Sequence, residues 1–117
     1  MKCFAQVLDL KNDPARIAEY KDWHTRVWPE VTRGLRAIGI RNMKIFLVGT
    51  HLFMYYEAPD DFVPERDYQR YAQDPRVQEW DRMMRGFQER VPEAISTGPT
   101  APWWTPMECV FDLEKAP

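Results

Sequence analysis

The sequence predicts an α+β domain in which an antiparallel sheet carries helices on one face. Three observations lead there. Apolar residues fall at strand-like spacing near the start and in two central segments. Two Asp-Pro pairs, Asp13-Pro14 and Asp74-Pro75, each precede apolar residues spaced three and four apart, as capped amphipathic helices require. The resulting order is strand, helix, strand, strand, helix, strand, which is the split βαβ or ferredoxin-like arrangement. A chain of 117 residues suits one domain over 1–117.

Cys3 to Leu10 reads as the first strand, with Phe4, Val7 and Leu8 among polar neighbours. Asp13 caps and Pro14 opens a helix that places Ile17, Tyr20 and His24 on one face. Pro29 lacks the N–H that would bond Thr25 and its ring clashes with that turn. The expected result is a helix from Pro14 to about Trp23, a break over His24 to Val27, and a second helix from near Trp28 to Ile38, ended by Gly39. Met43 to Val48 and His51 to Glu57 form a hairpin around Gly49-Thr50, with Val48 opposite His51, Leu47 opposite Leu52 and Ile45 opposite Met54. One hairpin face (Met43, Ile45, Leu47, Leu52, Met54, Tyr56) lies under helices. The other (Lys44, Phe46, Val48, His51, Phe53, Tyr55) is too aromatic to stay wet and predicts a homodimer interface. Pro64 to Ala72 is a short polar helix. The next helix is expected to carry Val77, Trp80, Met84, Phe87 and Val91 until Pro92 stops it. A loop over Glu93–Pro106 holds Trp103 and Trp104, and Met107 to Leu113 is expected as the last strand.

Composition excludes several function classes. Sixteen Lys and Arg against 18 Asp and Glu give a formal charge of −2, unsuited to a nucleic-acid module that must neutralise phosphates. No apolar run approaches the ~20 residues that cross a bilayer, and polar residues interrupt the N-terminus too soon for a secretory core, so a cytoplasmic protein is expected. Two His and two Cys lie too far apart for metal-ligand spacing, no Gly-rich phosphate loop occurs, and no metal or cofactor is expected. Cys3 and Cys109 are expected as buried thiols rather than a disulfide, because antiparallel first and last strands would hold them at opposite ends.

His24 is the leading candidate for chemistry. It follows Tyr20 by one turn at a helix break, where side chains can enter a gap, and imidazole moves a proton readily near neutral pH. A half-buried structural histidine is the competing reading. Trp80 fits either a core ring or a platform for the C–H face of a sugar, and Asp81 sits at the margin of the same stripe, expected to point into that gap.

The run Glu19-Tyr20-Lys21-Asp22-Trp23-His24-Thr25-Arg26-Val27-Trp28-Pro29-Glu30 resembles the Glu-Tyr-x-x-x-His-x-x-x-Trp-Pro-Glu signature of the L-rhamnose mutarotase family. Likeness continues through Gly39-Ile40, Leu52-Phe53, Gln78-x-Trp80 and Glu108-x-Val110-Phe111-x-Leu113, and covers nearly the whole chain. The resemblance implies a dimeric α/β-barrel fold and cofactor-free interconversion of 6-deoxy sugar anomers. It implies His24 as proton donor, and Tyr20, Met43, Trp80 and Asp81 at substrate-binding positions. Met43 and Asp81 depart from the family's Tyr and Trp. Together with likeness of Leu8–Pro14 and Asp74–Trp80 to the L-fucose-directed branch, this favours L-fucose over L-rhamnose. Two alternatives share the fold: a cofactor-free monooxygenase and a non-catalytic ligand-binding dimer.

Overall fold

The structure, a computed structural model, describes residues 1–94 and 103–117. Strand β1 spans Lys2–Leu10. The Asp13 carboxylate accepts from the amides of Ala15 (3.1 Å) and Arg16 (3.4 Å), starting helix α1 at Pro14–Trp23. Helix α2 follows at Pro29–Ala37. Between them the Thr25 hydroxyl donates to the Asp22 carbonyl (2.7 Å) and the Arg26 amide to the Trp23 carbonyl (3.1 Å), so the break caps its own helix end. Gly39 adopts φ +102°, a conformation only glycine takes at little cost, and a Cβ there would lie 2.9 Å from the Pro59 ring.

The hairpin consists of β2, Arg41–Val48, and β3, His51–Ala58. Its register pairs Val48 with His51, Leu47 with Leu52 and Ile45 with Met54, as alternation predicts. Helix α3 spans Pro64–Tyr71 and α4 spans Pro75–Arg85. The start of α3 is pinned by Asp67, whose buried carboxylate accepts from the Val63 amide (2.8 Å) and pairs with Arg66 and Arg70 (both 2.9 Å). Arg66 is the main reason its carboxyl sits well below the usual carboxylate range.

Strand order is β2-β3-β1-β4, with β5 also on β1, where β4 is Gln88–Glu89 and β5 is Thr105–Pro106. The expected α+β, ferredoxin-like sheet with helices on one face is therefore present. Its fourth position is shared: β4 pairs with Asp9 and Leu10, and β5 with Gln6 and Val7. Leu8, Leu10, Leu52, Met54 and Tyr56 turn toward the helices and are buried. Phe46, Val48 and Phe53 face the other way and are exposed.

Three expectations need correction. The α4 helix does not reach Val91: it ends at Arg85, because the Gly86 carbonyl accepts from Lys11 Nζ (3.1 Å) and the Phe87 carbonyl from the Lys11 amide (3.0 Å). These bonds draw the chain onto β1, and Phe87 and Val91 are buried from outside the helix. Met107 to Leu113 is not a strand. After the Met107 amide bonds the Ala5 carbonyl (2.8 Å) the segment leaves the sheet, with Val110, Phe111 and Leu113 exposed. Cys3 and Cys109 are free as expected, but exposed rather than buried. Cys3 lies on the helix-free face of β1, and Cys109 lies beyond β5. Most of the loop expected between Glu93 and Pro106 lies outside the described residues.

Candidate active site

The helix break creates the site. Because α1 stops at Trp23, the Tyr20 carbonyl accepts from the His24 ring at Nδ1 (2.8 Å). A carbonyl only accepts, so Nδ1 carries the hydrogen and Nε2 is the nitrogen able to take up or release a proton. Burial lowers the His24 pKa, opposed by that bond to Tyr20, so the ring favours its neutral form.

Aromatic rings surround it. The Tyr20 and His24 centroids are 4.4 Å apart, and Trp80 meets His24 edge to face at 5.8 Å. Trp80 also takes ring edges from Trp28 (5.3 Å) and Trp23 (6.2 Å), so residues on both sides of the break converge on α4. Arg76 lies over the outer side of Trp28, 3.9 Å from its centroid. Tyr20 is buried against Phe87, and its hydroxyl is pushed up to about 12 by burial, opposed by a hydrogen bond with Gln88. Gln88 is itself buried on β4. Sequence reading missed it, since a glutamine in an expected helix gives no hint of an inward strand position.

Tyr20, His24 and Trp80 thus come together as expected, whereas Met43 and Asp81 do not join them directly. Met43 packs in a second apolar cluster with Ile38, Ile40, Met54, Tyr56 and Phe62. Asp81, one step past Trp80, is turned by the ~100° per residue of a helix. Its charge acts on Tyr68 and Tyr71 of α3. Leu35, Ile45, Tyr71 and Trp104 pack against both clusters and join them. A cavity of about 180 Å³ lies elsewhere, on the helix-free face between Phe46, Val48, Phe53 and Met107, well away from His24. Among the described residues no group of three or more His, Cys, Asp or Glu could hold a metal.

A family profile described as L-rhamnose mutarotase matches residues 3–113. The chain belongs to the L-rhamnose mutarotase family. It is thereby placed among isomerases acting on carbohydrates. An L-fucose mutarotase of Xanthomonas campestris pv. campestris is 40% identical over 94 residues, covering 79% of this chain and 75% of that protein. A protein of Dictyostelium discoideum is 51% identical over 114 residues, covering 97% and 90%. The crystal structure of L-rhamnose mutarotase from Formosa agariphila superposes with a TM-score of 0.70 at 22% identity, covering 97% of this chain and all of that one, which establishes the common fold. In this family member, the Tyr-x-x-x-His-x-x-x-Trp-Pro-Glu motif is the segment that folds into the broken helix around His24.

Proposed function

We propose that the protein interconverts the α and β anomers of an L-6-deoxyhexose, with L-fucose preferred over L-rhamnose and His24 as the proton carrier. The carrying observation is the His24 ring, anchored at Nδ1 on the Tyr20 carbonyl and walled by Tyr20 and Trp80. Mutarotation needs one proton removed from the anomeric hydroxyl while another reaches the ring oxygen. Neutral Nε2 takes the first while a water molecule gives the second to the ring oxygen, so the ring C–O bond breaks and the anomeric C–O becomes the aldehyde carbonyl. Rotation about the bond beside the aldehyde exposes its other face. When the ring hydroxyl attacks, its proton passes back to the hydroxide left by that water, the imidazolium returns its own proton to the carbonyl oxygen, and the opposite anomer results.

Tyr20 and Trp80 supply flat apolar surface for the sugar's C–H faces, Met43 a flexible apolar wall, and Asp81 an acceptor for ring hydroxyls. The preference for fucose rests on Met43 and Asp81, and the Xanthomonas relative supports it. The functional unit is a homodimer closed through Phe46, Phe53 and Tyr55, since an apolar face this exposed favours burial.

NMR exchange spectroscopy tests the reading. EDTA-treated protein should accelerate anomer exchange of L-fucose more than of L-rhamnose, and Asp81→Trp should shift the ratio toward rhamnose. Background rates for both sugars refute the mutarotase reading. Equal or faster rhamnose exchange refutes the preference alone.

A further inference from the structure

Helix α3 carries two tyrosines that the site described so far does not use. Their rings meet at 6.0 Å, and Tyr68 also abuts Tyr56 (6.1 Å) and Phe62 (6.0 Å). The Tyr68 hydroxyl is buried, with the Tyr56 hydroxyl beside it but too poorly placed for a well-made hydrogen bond. Leaving such a group unpaired costs about 1–3 kcal/mol, yet the fold holds it in place through the Asp67 anchor one residue earlier. Opposite stands Asp81, half-buried and without an ion pair or hydrogen bond among the described residues; the charge acting on it is Arg85, one turn on. Asp81 in turn acts electrostatically on both tyrosines.

A carboxylate without a hydrogen-bond partner among the described residues and a hydroxyl with only Tyr56 beside it, in one half-buried corner, complement a ligand that presents both donors and acceptors. A monosaccharide ring does so with every hydroxyl. The corner is also placed for it. Trp80 and Asp81 are consecutive on α4, one ring against His24 and one carboxylate toward α3, and Tyr71 packs against both apolar clusters. Gly34 of α2 lets Tyr71 approach: a Cβ there would stand 2.8 Å from its ring.

We infer that Tyr68, Tyr71 and Asp81 form the subsite that binds the ring hydroxyls remote from the anomeric carbon, and so set which sugar is accepted. The inference rests on the mutarotase reading only for the orientation of the sugar. The carboxylate accepts from two neighbouring hydroxyls, and the un-ionised tyrosines donate to or accept from them. Burial raises the pKa of both tyrosines, keeping their O–H groups intact at neutral pH, and raises that of Asp81, so an ionised carboxylate there costs stability without a partner.

Methyl α-L-fucopyranoside separates the two ideas, because it offers the hydroxyls but cannot open its ring. Its affinity for wild type, Tyr68→Phe, Tyr71→Phe and Asp81→Asn is measured by NMR titration, beside kcat and KM for fucose and rhamnose exchange. Each Tyr→Phe should weaken glycoside binding about 2- to 10-fold and Asp81→Asn about 10-fold or more. The fucose-to-rhamnose ratio should change in each variant, through KM more than kcat, while Asp81→Asn raises Tm. Unchanged glycoside affinity and sugar ratio in Tyr68→Phe and Asp81→Asn, with or without a Tm shift, overturn the subsite. A wild type that binds the glycoside but exchanges no anomers overturns the mutarotase reading and leaves the binding test of the subsite intact.

Discussion

Gly34→Ala is a sharp probe of how α2 positions the α3 tyrosines. In an unobstructed helix the change stabilises by about 1 kcal/mol, because glycine gives up more backbone freedom than alanine. Here the new Cβ would stand 2.8 Å from Tyr71 Cδ1 and 3.1 Å from Cε1, with Val77 Cγ2 behind at 3.9 Å. Ordinary contact begins at 3.4 Å, so the ring must withdraw by about half an ångström. It cannot swing freely, because Tyr68 meets it edge to face and both apolar clusters pack on it. Overpacking of this kind costs about 1–3 kcal/mol. The net effect is a destabilisation of about 1 kcal/mol, or a fall in Tm of about 3–6 °C for a chain of this size. Thermal unfolding by circular dichroism reads the first part. Fucose exchange reads the second: KM should rise with Tyr71 displaced, while kcat changes little. In a Tyr71→Leu background, Gly34→Ala should recover its helix-propensity gain. If Gly34→Ala raises Tm by several degrees in the wild-type background, α2 and α3 are not locked through this contact and the reasoning fails.

Other consequences follow from the sheet and from His24. Phe53→Glu puts a charge among Phe46, Val48 and Met107 on the helix-free face, and should give monomers or aggregates in sedimentation velocity. A wild type that is already monomeric at micromolar concentration refutes the dimer. Burial lowers the folded-state pKa of His24, so its contribution to stability is complete above about 6.5, the unfolded value, and is lost as pH falls through the lowered folded value. Urea unfolding from pH 7.5 to pH 5 should therefore show a loss of stability that is smaller in His24→Asn; identical slopes contradict the burial argument. The activity profile should have the same sign, with exchange rising as Nε2 loses its proton and then levelling. A rate that climbs steadily toward acid pH would mean the imidazolium is the resting catalyst.

Much of this was legible in the chain because each signal has a local cause. Pro29 cannot continue α1, Asp13 and Asp74 supply caps, and period-two alternation leaves one register for the hairpin. The assembly of Tyr20, His24 and Trp80 was legible for the same reason, since four-residue spacing and one helix break bring them near the same wall. The failures involve non-local bonds. Nothing in Gly86-Phe87-Gln88 says that Lys11 will pull this stretch off the helix and onto β1, and so the Tyr20–Gln88 contact was hidden. The final segment has strand-like residues, but the β1 edge is already shared by β4 and β5. Asp81 was assigned to the right helix, but its closeness to Tyr68 and Tyr71 could not be read, because that depends on where α3 packs. Tyr68 and Tyr71 looked like ordinary members of a polar helix until the fold set them opposite that carboxylate.

The central claim is that His24 moves the anomeric proton. The most direct measurement is two-dimensional NMR exchange on L-fucose at pH 7.5 with equal concentrations of wild type and His24→Asn, after matched far-ultraviolet spectra show both folded. Asparagine keeps the size and polarity of the side chain and removes the titratable nitrogen. The account predicts that wild type exchanges the α and β anomers well above background, and that His24→Asn loses about 10²–10⁴-fold while still binding methyl α-L-fucopyranoside. A folded His24→Asn protein exchanging at near wild-type rate would contradict it.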